Sequence, residues 1–324
     1  MNEKIKVLVT GGAGFIGSNL CEHLIDQGYT VLALDNLATG HKHNLSAIKD
    51  HERFRFIHGD IRDLVTCREA VAGCDYVLHQ AALGSVPRSI KDPITSNDVN
   101  VGGFLNMLVA CKDAGVKKMV YAASSSTYGD SKALPKIEDN IGKPLSPYAI
   151  TKYVNELYAD VFYKTYGFNT VGLRYFNVFG RKQDPNGAYA AVIPLFTKQL
   201  MNKESPVING DGTYSRDFTY IDNVIQANLK AMLTHDVAAE NTVFNVAYGD
   251  RTDLNMLVTL LKDALAHHDP AIAQVQTIYG ANRAGDVPHS LASIEKAQKL
   301  LGYDPQFNLQ AGLAQAVDWY WEHL

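Results

Sequence analysis

Cysteine is scarce in this chain of 324 residues. There are four, Cys21, Cys67, Cys74 and Cys111, and no two form a C-x-x-C pair. A zinc ribbon, a dithiol redox motif and a disulfide framework are therefore not expected; buried free thiols are. The eleven histidines include no H-E-x-x-H, and the pairs His41/His43 and His267/His268 fall in loop or helix-end stretches, so no metal is expected. Positive charge is not in excess, with 30 Lys and Arg against 34 Asp and Glu, which argues against nucleic acid or an anionic membrane surface as partner. No apolar run reaches the ~18 residues that suggest a membrane span. A charged, apolar and small-residue leader is not seen; a strand-like KIKVLVT begins almost at once, and a soluble, cytoplasmic protein is expected. Internal repeats and low-complexity linkers are missing as well.

What the chain does have is enough apolar residue, 46%, for a large core. The stretches KVLVT (6–10), TVLALD (30–35), FRFIHGD (54–60), DYVLHQA (75–81), KMVYAAS (118–124) and NTVGLRY (169–175) read as buried parallel strands. Helical patterns lie between them near 15–27, 63–72, 95–114 and 147–166. This alternation predicts an α/β fold with a doubly wound parallel sheet. After Asn177 the rhythm breaks. A polar loop leads to a helix, SPVINGDGTYSRDFTYIDN reads as strand, turn, strand, a helix lies near 222–234, and NTVFNVA forms a last sheet strand. The expected division is a cofactor domain of 1–176 plus 217–250 and a smaller C-terminal α/β substrate domain of 177–216 plus 251–324.

VTGGAGFIGSNL joins the first strand to a helix with the spacing Gly11-x-x-Gly14-x-x-Gly17. Gly11 permits the tight turn, Gly14 lets a pyrophosphate approach the backbone, and Gly17 lets helix and strand pack closely. The helix N-terminus offers free N–H donors and the positive end of a dipole. Asp35 ends the second strand 18 residues beyond Gly17, where a carboxylate accepts from both ribose hydroxyls and repels a 2′-phosphate. No arginine directly follows it, so NAD is favoured over NADP. Asp60 and Ile61 of HGDIRD are placed at the adenine; a helix N-cap is the alternative for Asp60, with Asp63 competing for that role.

SPYAITKYVNELYAD begins at Ser146. Ser146 is a possible N-cap, Pro147 suits the first turn, and Tyr148 and Lys152 then share a helical face. A free tyrosine has a pKa of ~10 and is a poor base; a nearby ammonium and an oxidised nicotinamide would both favour the phenolate. With 17 tyrosines, roughly one Tyr-x-x-x-Lys is expected by chance, and a solvated helix face is the plain alternative. Position adds weight: AASSSTYGD lies at the end of the fifth strand and puts Ser124, Ser125 and Ser126 where open α/β sheets bind ligands.

With the glycine turn, the serine cluster and Tyr148-x-x-x-Lys152 in order, the chain resembles the extended short-chain dehydrogenase/reductase superfamily, with its Rossmann-type sheet. YFNVFG (175–180), YSRDFTYIDN (214–223) and RAGDVPHS (283–290) are further similar to the UDP-hexose 4-epimerases. The resemblance implies tightly bound NAD that is recycled, a 4-keto sugar that turns over in the site, and Tyr148 exchanging the proton of the sugar 4-hydroxyl. It implies Ser124 as the catalytic serine assisted by Ser126, and Lys152 on the nicotinamide ribose. Other cofactor contacts it implies are Gly11, Gly14, Phe15, Ile16, Gly17, Asp35, Asn36, Thr39, Gly40, Asp60, Ile61, Gln80, Ala81, Ala82, Asn100, Tyr175 and Val178. For the sugar nucleotide it implies Gly84, Ser85, Ser125, Asn177, Gln183, Ala191, Val192, Ser290, and a diphosphate clamp of Arg216 and Arg283.

Related 4,6-dehydratases carry Asp and Glu where this chain has Ser125 and Ser126, and uronate decarboxylases carry Glu at the position of Ser126. Water elimination and decarboxylation thus lack their carboxylates here. Ser290 aligns with a gate residue near the sugar C2 substituent, and a small side chain leaves room for an N-acetyl group. The expected activity is therefore interconversion of UDP-N-acetylglucosamine and UDP-N-acetylgalactosamine, with plain hexoses as secondary substrates. Alternatives are a UDP-N-acetylglucosaminuronate 4-epimerase using Arg88, a 4-ketoreductase, and a non-catalytic NAD sensor. Helices 95–114 and 147–166 resemble the pair that forms a homodimer interface.

Overall fold

The computed structural model describes residues 5–186, 190–281 and 288–323. Seven strands form the central sheet: β1 (Lys6–Thr10), β2 (Thr30–Asp35), β3 (Phe54–His58), β4 (Tyr76–His79), β5 (Lys118–Ser124), β6 (Thr170–Tyr175) and β11 (Thr242–Val246). Their order is β11-β6-β5-β4-β1-β2-β3, and every pairing is parallel. The shorter strands are β7 (Val178–Phe179), β8 (Val207–Asn209), β9 (Ser215–Arg216), β10 (Thr219–Tyr220), β12 (Thr252–Asp253) and β13 (Ile278–Gly280). The helices are α1 (Phe15–Asp26), α2 (Leu64–Val71), α3 (Val86–Lys91), α4 (Pro93–Asn97), α5 (Gly103–Asp113), α6 (Pro147–Tyr166), α7 (Val192–Met201), α8 (Ile221–Leu233), α9 (Leu254–Ala266), α10 (Glu295–Leu301) and α11 (Leu309–His323).

Alternation along a strand sends neighbouring side chains to opposite faces. Val7 and Val9 of β1 enter a core shared with α1, α7, α8, α9 and α11, while Leu8 enters a second core shared with α2, α5 and α6. Both faces of the sheet are covered, which is why the strands are apolar throughout. The four cysteines are buried free thiols within these cores.

The sequence expectation of a doubly wound parallel sheet holds, with local differences. The strands expected at 54–60 and 75–81 stop at His58 and His79. The helix expected over 95–114 is divided: α4, a π-helical stretch Asp98–Gly102, then α5. Apolar spacing continues through the divide, so hydrophobicity alone does not reveal it. The strand, turn, strand of 205–223 makes no hairpin. Its three short strands pair elsewhere, β8 with β13, β9 with β12, and β10 with β7. Asp63, not Asp60, caps α2, accepting from Val65 and Thr66 N–H.

Helix α6 begins as its sequence predicts. Ser146 Oγ accepts from Ala149 N–H at 3.1 Å, Pro147 opens the first turn, and Gly167 closes the helix with φ of 67°. The β1–α1 turn depends on missing side chains. A Cβ at Gly17 would stand 2.1 Å from the Gly11 carbonyl oxygen, and one at Gly11, where φ is +67°, would stand 2.8 Å from Ala81 N. Gly17→Ala is expected to cost about 1–3 kcal/mol and to loosen the turn. Urea unfolding checks this, and an unchanged midpoint would refute the close-packing account.

Candidate active site

Two cavities lie at the carboxyl edge of the sheet. The larger, about 420 Å³, is lined by Gly11, Gly14, Phe15, Ile16 and Gly17 on one side and by Asp35, Asn36 and Thr39 on the other. Gln80, Ala81, Ala82 and Ile61 complete much of its wall. Asp35 is buried, with Oδ2 accepting from Ala13 N–H at 3.0 Å and Oδ1 from Leu37 N–H at 2.7 Å. The carboxylate is thus held rigid beside the turn. Gly40 is needed for this closeness: a Cβ there would lie 2.9 Å from Asp35 Oδ2.

Arg62 also lines this cavity and was not singled out from the sequence. Asp60, expected at the adenine, is not among the lining residues. Its carboxylate instead takes Arg62 Nη2 at 2.7 Å and Asn36 Nδ2 at 2.8 Å, and the Arg62 hydrogen bond holds its pKa far below the usual carboxylate range. The HGDIRD signal for Arg62 was present, but only the three-dimensional turn shows that it faces the cavity.

The second cavity, about 240 Å³, shares Ile16, Gln80, Ala82 and Gly84 with the first. Ser124, Tyr148, Lys152, Tyr175, Asn177 and Val178 meet in its wall. Ser124 ends β5, and its Oγ accepts from Ser126 N–H at 3.2 Å and Ser126 Oγ–H at 2.9 Å. Lys152 is buried and its Nζ donates to the Ala122 carbonyl at 2.8 Å. Tyr175 links to Gln80 and Asn228 through its hydroxyl.

The sequence suggested that an ammonium lowers the Tyr148 pKa. In the protein alone burial is the leading influence and raises it, while a hydrogen bond to Ser124 pulls it back. Lys152 Nζ stands 6.0 Å from the Tyr148 ring centroid, and burial brings its own pKa down to about 8. An ammonium aimed at the Ala122 carbonyl is not among the leading influences on the phenol, which are burial and the Ser124 hydrogen bond.

Other expected site residues stand around these two cavities without lining them. Asn100 lines neither cavity; it binds the Leu83 backbone with Oδ1 and Nδ2 and Thr151 with Nδ2. Ser85, with φ of 95°, caps α3. Gln183 Nε2 donates to the Val178 carbonyl at 3.0 Å, Ala191 precedes α7, and Val192 begins it. Ser125 opens the short turn after β5. Arg216 Nη1 donates to the Ser215 and Pro288 carbonyls, and Ser290 N–H to the Ser215 carbonyl. None of these lines either cavity. Arg283 lies outside the described residues.

The model of the NAD dependent epimerase/dehydratase family matches residues 7–247. A putative UDP-glucose 4-epimerase of Methanocaldococcus jannaschii is 36% identical over 97% of both chains. Among solved structures, a UDP-N-acetylglucosamine 4-epimerase from Methanobrevibacter ruminantium, in complex with UDP-N-acetylmuramic acid, is 38% identical over 99% of both chains with a TM-score of 0.92. The UDP-glucose 4-epimerase of Thermotoga maritima with UDP-glucose is 36% identical, covers 98% of this chain and 99% of that one, and has a TM-score of 0.89. This chain belongs to the NAD dependent epimerase/dehydratase family, within the extended short-chain dehydrogenase/reductase fold. NAD is the cofactor of this epimerase/dehydratase. The residues fit it, since the glycines clear a cradle that any Cβ would fill and a fixed carboxylate stands at its far end. Among the described residues no cluster of His, Cys, Asp or Glu is placed to hold a metal ion, and no helix is long and apolar enough to cross a membrane.

Lys152 of this epimerase/dehydratase carries a measurable cost. The unfolded chain holds the lysine proton up to the ordinary 10.5 and the folded chain only up to about 8. The unfolded state therefore binds more protons between these values, and wild-type stability rises with pH across that window. The displacement corresponds to about 3 kcal/mol. Lys152→Met is expected to be more stable than wild type near neutral pH, less what is lost with the Ala122 bond. That advantage should vanish as pH rises toward about 10. Urea unfolding of both proteins across the range checks this; a difference independent of pH would refute it.

Proposed function

We propose that the chain is a UDP-sugar 4-epimerase that interconverts UDP-N-acetylglucosamine and UDP-N-acetylgalactosamine. The observation that carries this is Ser124, Tyr148 and Lys152 on one cavity that shares four wall residues with the glycine-turn cavity. Bound NAD supplies a hydride acceptor and then a hydride donor. Tyr148 takes the proton of the sugar 4-hydroxyl and later returns it to the ketone oxygen. Ser124 holds the same oxygen, with Ser126 Oγ–H supporting Ser124. Lys152 holds the cofactor ribose. The sugar loses a hydride from C4 and a proton from its hydroxyl, then regains the hydride on the other face of C4 and the proton on the oxygen, so the reaction has no net redox change. No carboxylate stands at 125 or 126 to expel water.

The N-acetyl preference rests on Ser290, on Gly84, whose Cβ position has nothing within 4 Å, and on the similarity to the Methanobrevibacter enzyme. Similarity to enzymes named for UDP-glucose keeps plain hexoses as secondary substrates. Arg216 and Arg283 would take the diphosphate. The cofactor part is 1–176 plus 217–250, and the sugar nucleotide part is 177–216 plus 251–324.

Purified protein, given UDP-N-acetylglucosamine or UDP-glucose without added cofactor, is expected to show a new galacto anomeric signal by NMR, mainly from the N-acetyl substrate. Ser290→Tyr should reverse that preference, lowering N-acetyl turnover by roughly tenfold or more. A signal from UDP-glucose alone would defeat the Ser290 account. Turnover only of the uronate form would favour Arg88 as a carboxylate reader, and silence with all three would defeat the epimerase reading.

The assembly is proposed to be a homodimer through the stretches 95–114 and 147–166. Ile150, Leu157 and Val161 are 52%, 49% and 52% exposed on α6, and Ile90 and Ile94 are exposed nearby in sequence on α3 and α4. The positions i, i+7 and i+11 form one apolar stripe, and a twofold contact lets a single stripe cover itself. Leu157→Glu with Val161→Glu is expected to halve the mass found by light scattering. A wild type that is already monomeric would refute the interface.

A further inference from the structure

Arg174, on β6, is 4% exposed and lines neither cavity. Its guanidinium nevertheless touches both elements that carry the proposed catalytic set, α6 and the turn after β5. Toward α6, Nε donates to Glu156 Oε1 at 2.9 Å and Nη2 to Oε2 at 2.7 Å. Toward the serines, Cζ lies 4.9 Å from the Tyr128 ring centroid, and Tyr128 ends the turn Ser125–Tyr128 that follows Ser124. Nη1 donates to the Glu138 carbonyl at 2.8 Å, and the buried Tyr128 hydroxyl donates to Asn245 Oδ1 at 2.6 Å. Glu156 lies one helical turn beyond Lys152 and two beyond Tyr148, so all three share a face of α6.

We propose that Arg174 is a positioning residue that fixes the serine turn and the Tyr148–Lys152 helix at the separation where Ser124 and Tyr148 share one substrate oxygen. This rests on the epimerase reading above. A planar fork bonded at two points fixes angle as well as distance, which a lysine cannot do. Apolar side chains of equal volume often replace a buried ion pair with little loss of stability. What they would not reproduce is the link from one guanidinium to both Glu156 and Tyr128.

The test uses the holoenzyme with Arg174→Met and Glu156→Gln combined, which removes both charges of the ion pair, beside Arg174→Lys alone, which keeps Glu156 and its support of Lys152. Both are expected to keep wild-type NAD content and a KM for the sugar nucleotide within about twofold. Their kcat should fall about 10- to 100-fold, the range expected for displaced catalytic groups. Wild-type kcat in a folded variant would overturn the proposal. So would a parallel loss of kcat and NAD content, which would mark general loosening. Should the double variant not fold, Arg174→Lys carries the same readouts. A crystal structure of the variant reads the placement without substrate: a displaced Ser124–Tyr148 hydrogen bond supports the inference, and an undisturbed one overturns it. A wild type silent on every UDP-sugar defeats only the epimerase reading, and the crystal structure still tests the placement.

Discussion

Seven strands running the same way open all their carboxyl ends along one edge, and the site depends on that constraint. The strand ends bring Thr10, Asp35, His79, Ser124 and Tyr175 near that edge through the register of the sheet. Thr10 pairs with His79, and Ser124 with Tyr175. The helix that follows β1 begins there too, with its unsatisfied N–H groups turned to the same opening. One architectural fact thus places the glycine turn, the Asp35 carboxylate and Ser124 along a single edge, and α6 sets Tyr148 beside Ser124 in the wall of the second cavity.

The chain accepts buried polar groups to build this edge. His79 is buried with Nδ1 against Thr10 Oγ1 at 2.8 Å, and burial pulls its pKa down to about 3, helped by Lys152. A neutral His79 adds no second positive charge beside the lysine. Glu156 pushes the Lys152 pKa up against burial, while its own charge is matched by Arg174. The interior therefore holds one lysine between a discharged histidine and a balanced ion pair. Of these groups, Lys152 is the one left to answer to a ligand.

Local signals made much of this readable in the chain. The glycine spacing, the capped start of α6 and the Tyr148–Lys152 interval each act over a few residues, and the alternating apolar runs marked all seven sheet strands. Contacts made across long intervals were harder to read. Arg62 looks like an ordinary charged residue until its turn folds onto the cavity. Asn100 gives no hint in the sequence that its amide also joins Leu83 to Thr151. Arg174 reads as one polar residue in an apolar strand, and its two partners lie 18 and 46 positions away in the chain. The division of 95–114 was hidden because it is a change of backbone bonding over five residues, Asp98–Gly102, the single-turn length at which π-helical pieces occur inside α-helices.

The segments outside the central sheet are built on another principle. Their strands β7 to β10, β12 and β13 are two or three residues long and do not extend that sheet. Side chain to backbone bonds join them instead. The buried Asp217 carboxylate accepts from Tyr248, Gly249 and Ala292 N–H groups, and its own carbonyl accepts from Asn177 Nδ2. Burial pushes the Asp217 carboxyl up to about 7 against those donors. Asp217 therefore holds a cavity-wall residue through its carbonyl, and Tyr248, Gly249 and the segment that follows Ser290 through its carboxylate, in fixed relation. Loops pinned at such a node can vary in length and residue without disturbing the sheet that carries Ser124 or the helix that carries Tyr148. What places these two residues, strand register and the capped start of α6, is thereby physically separate from what the pinned loops present.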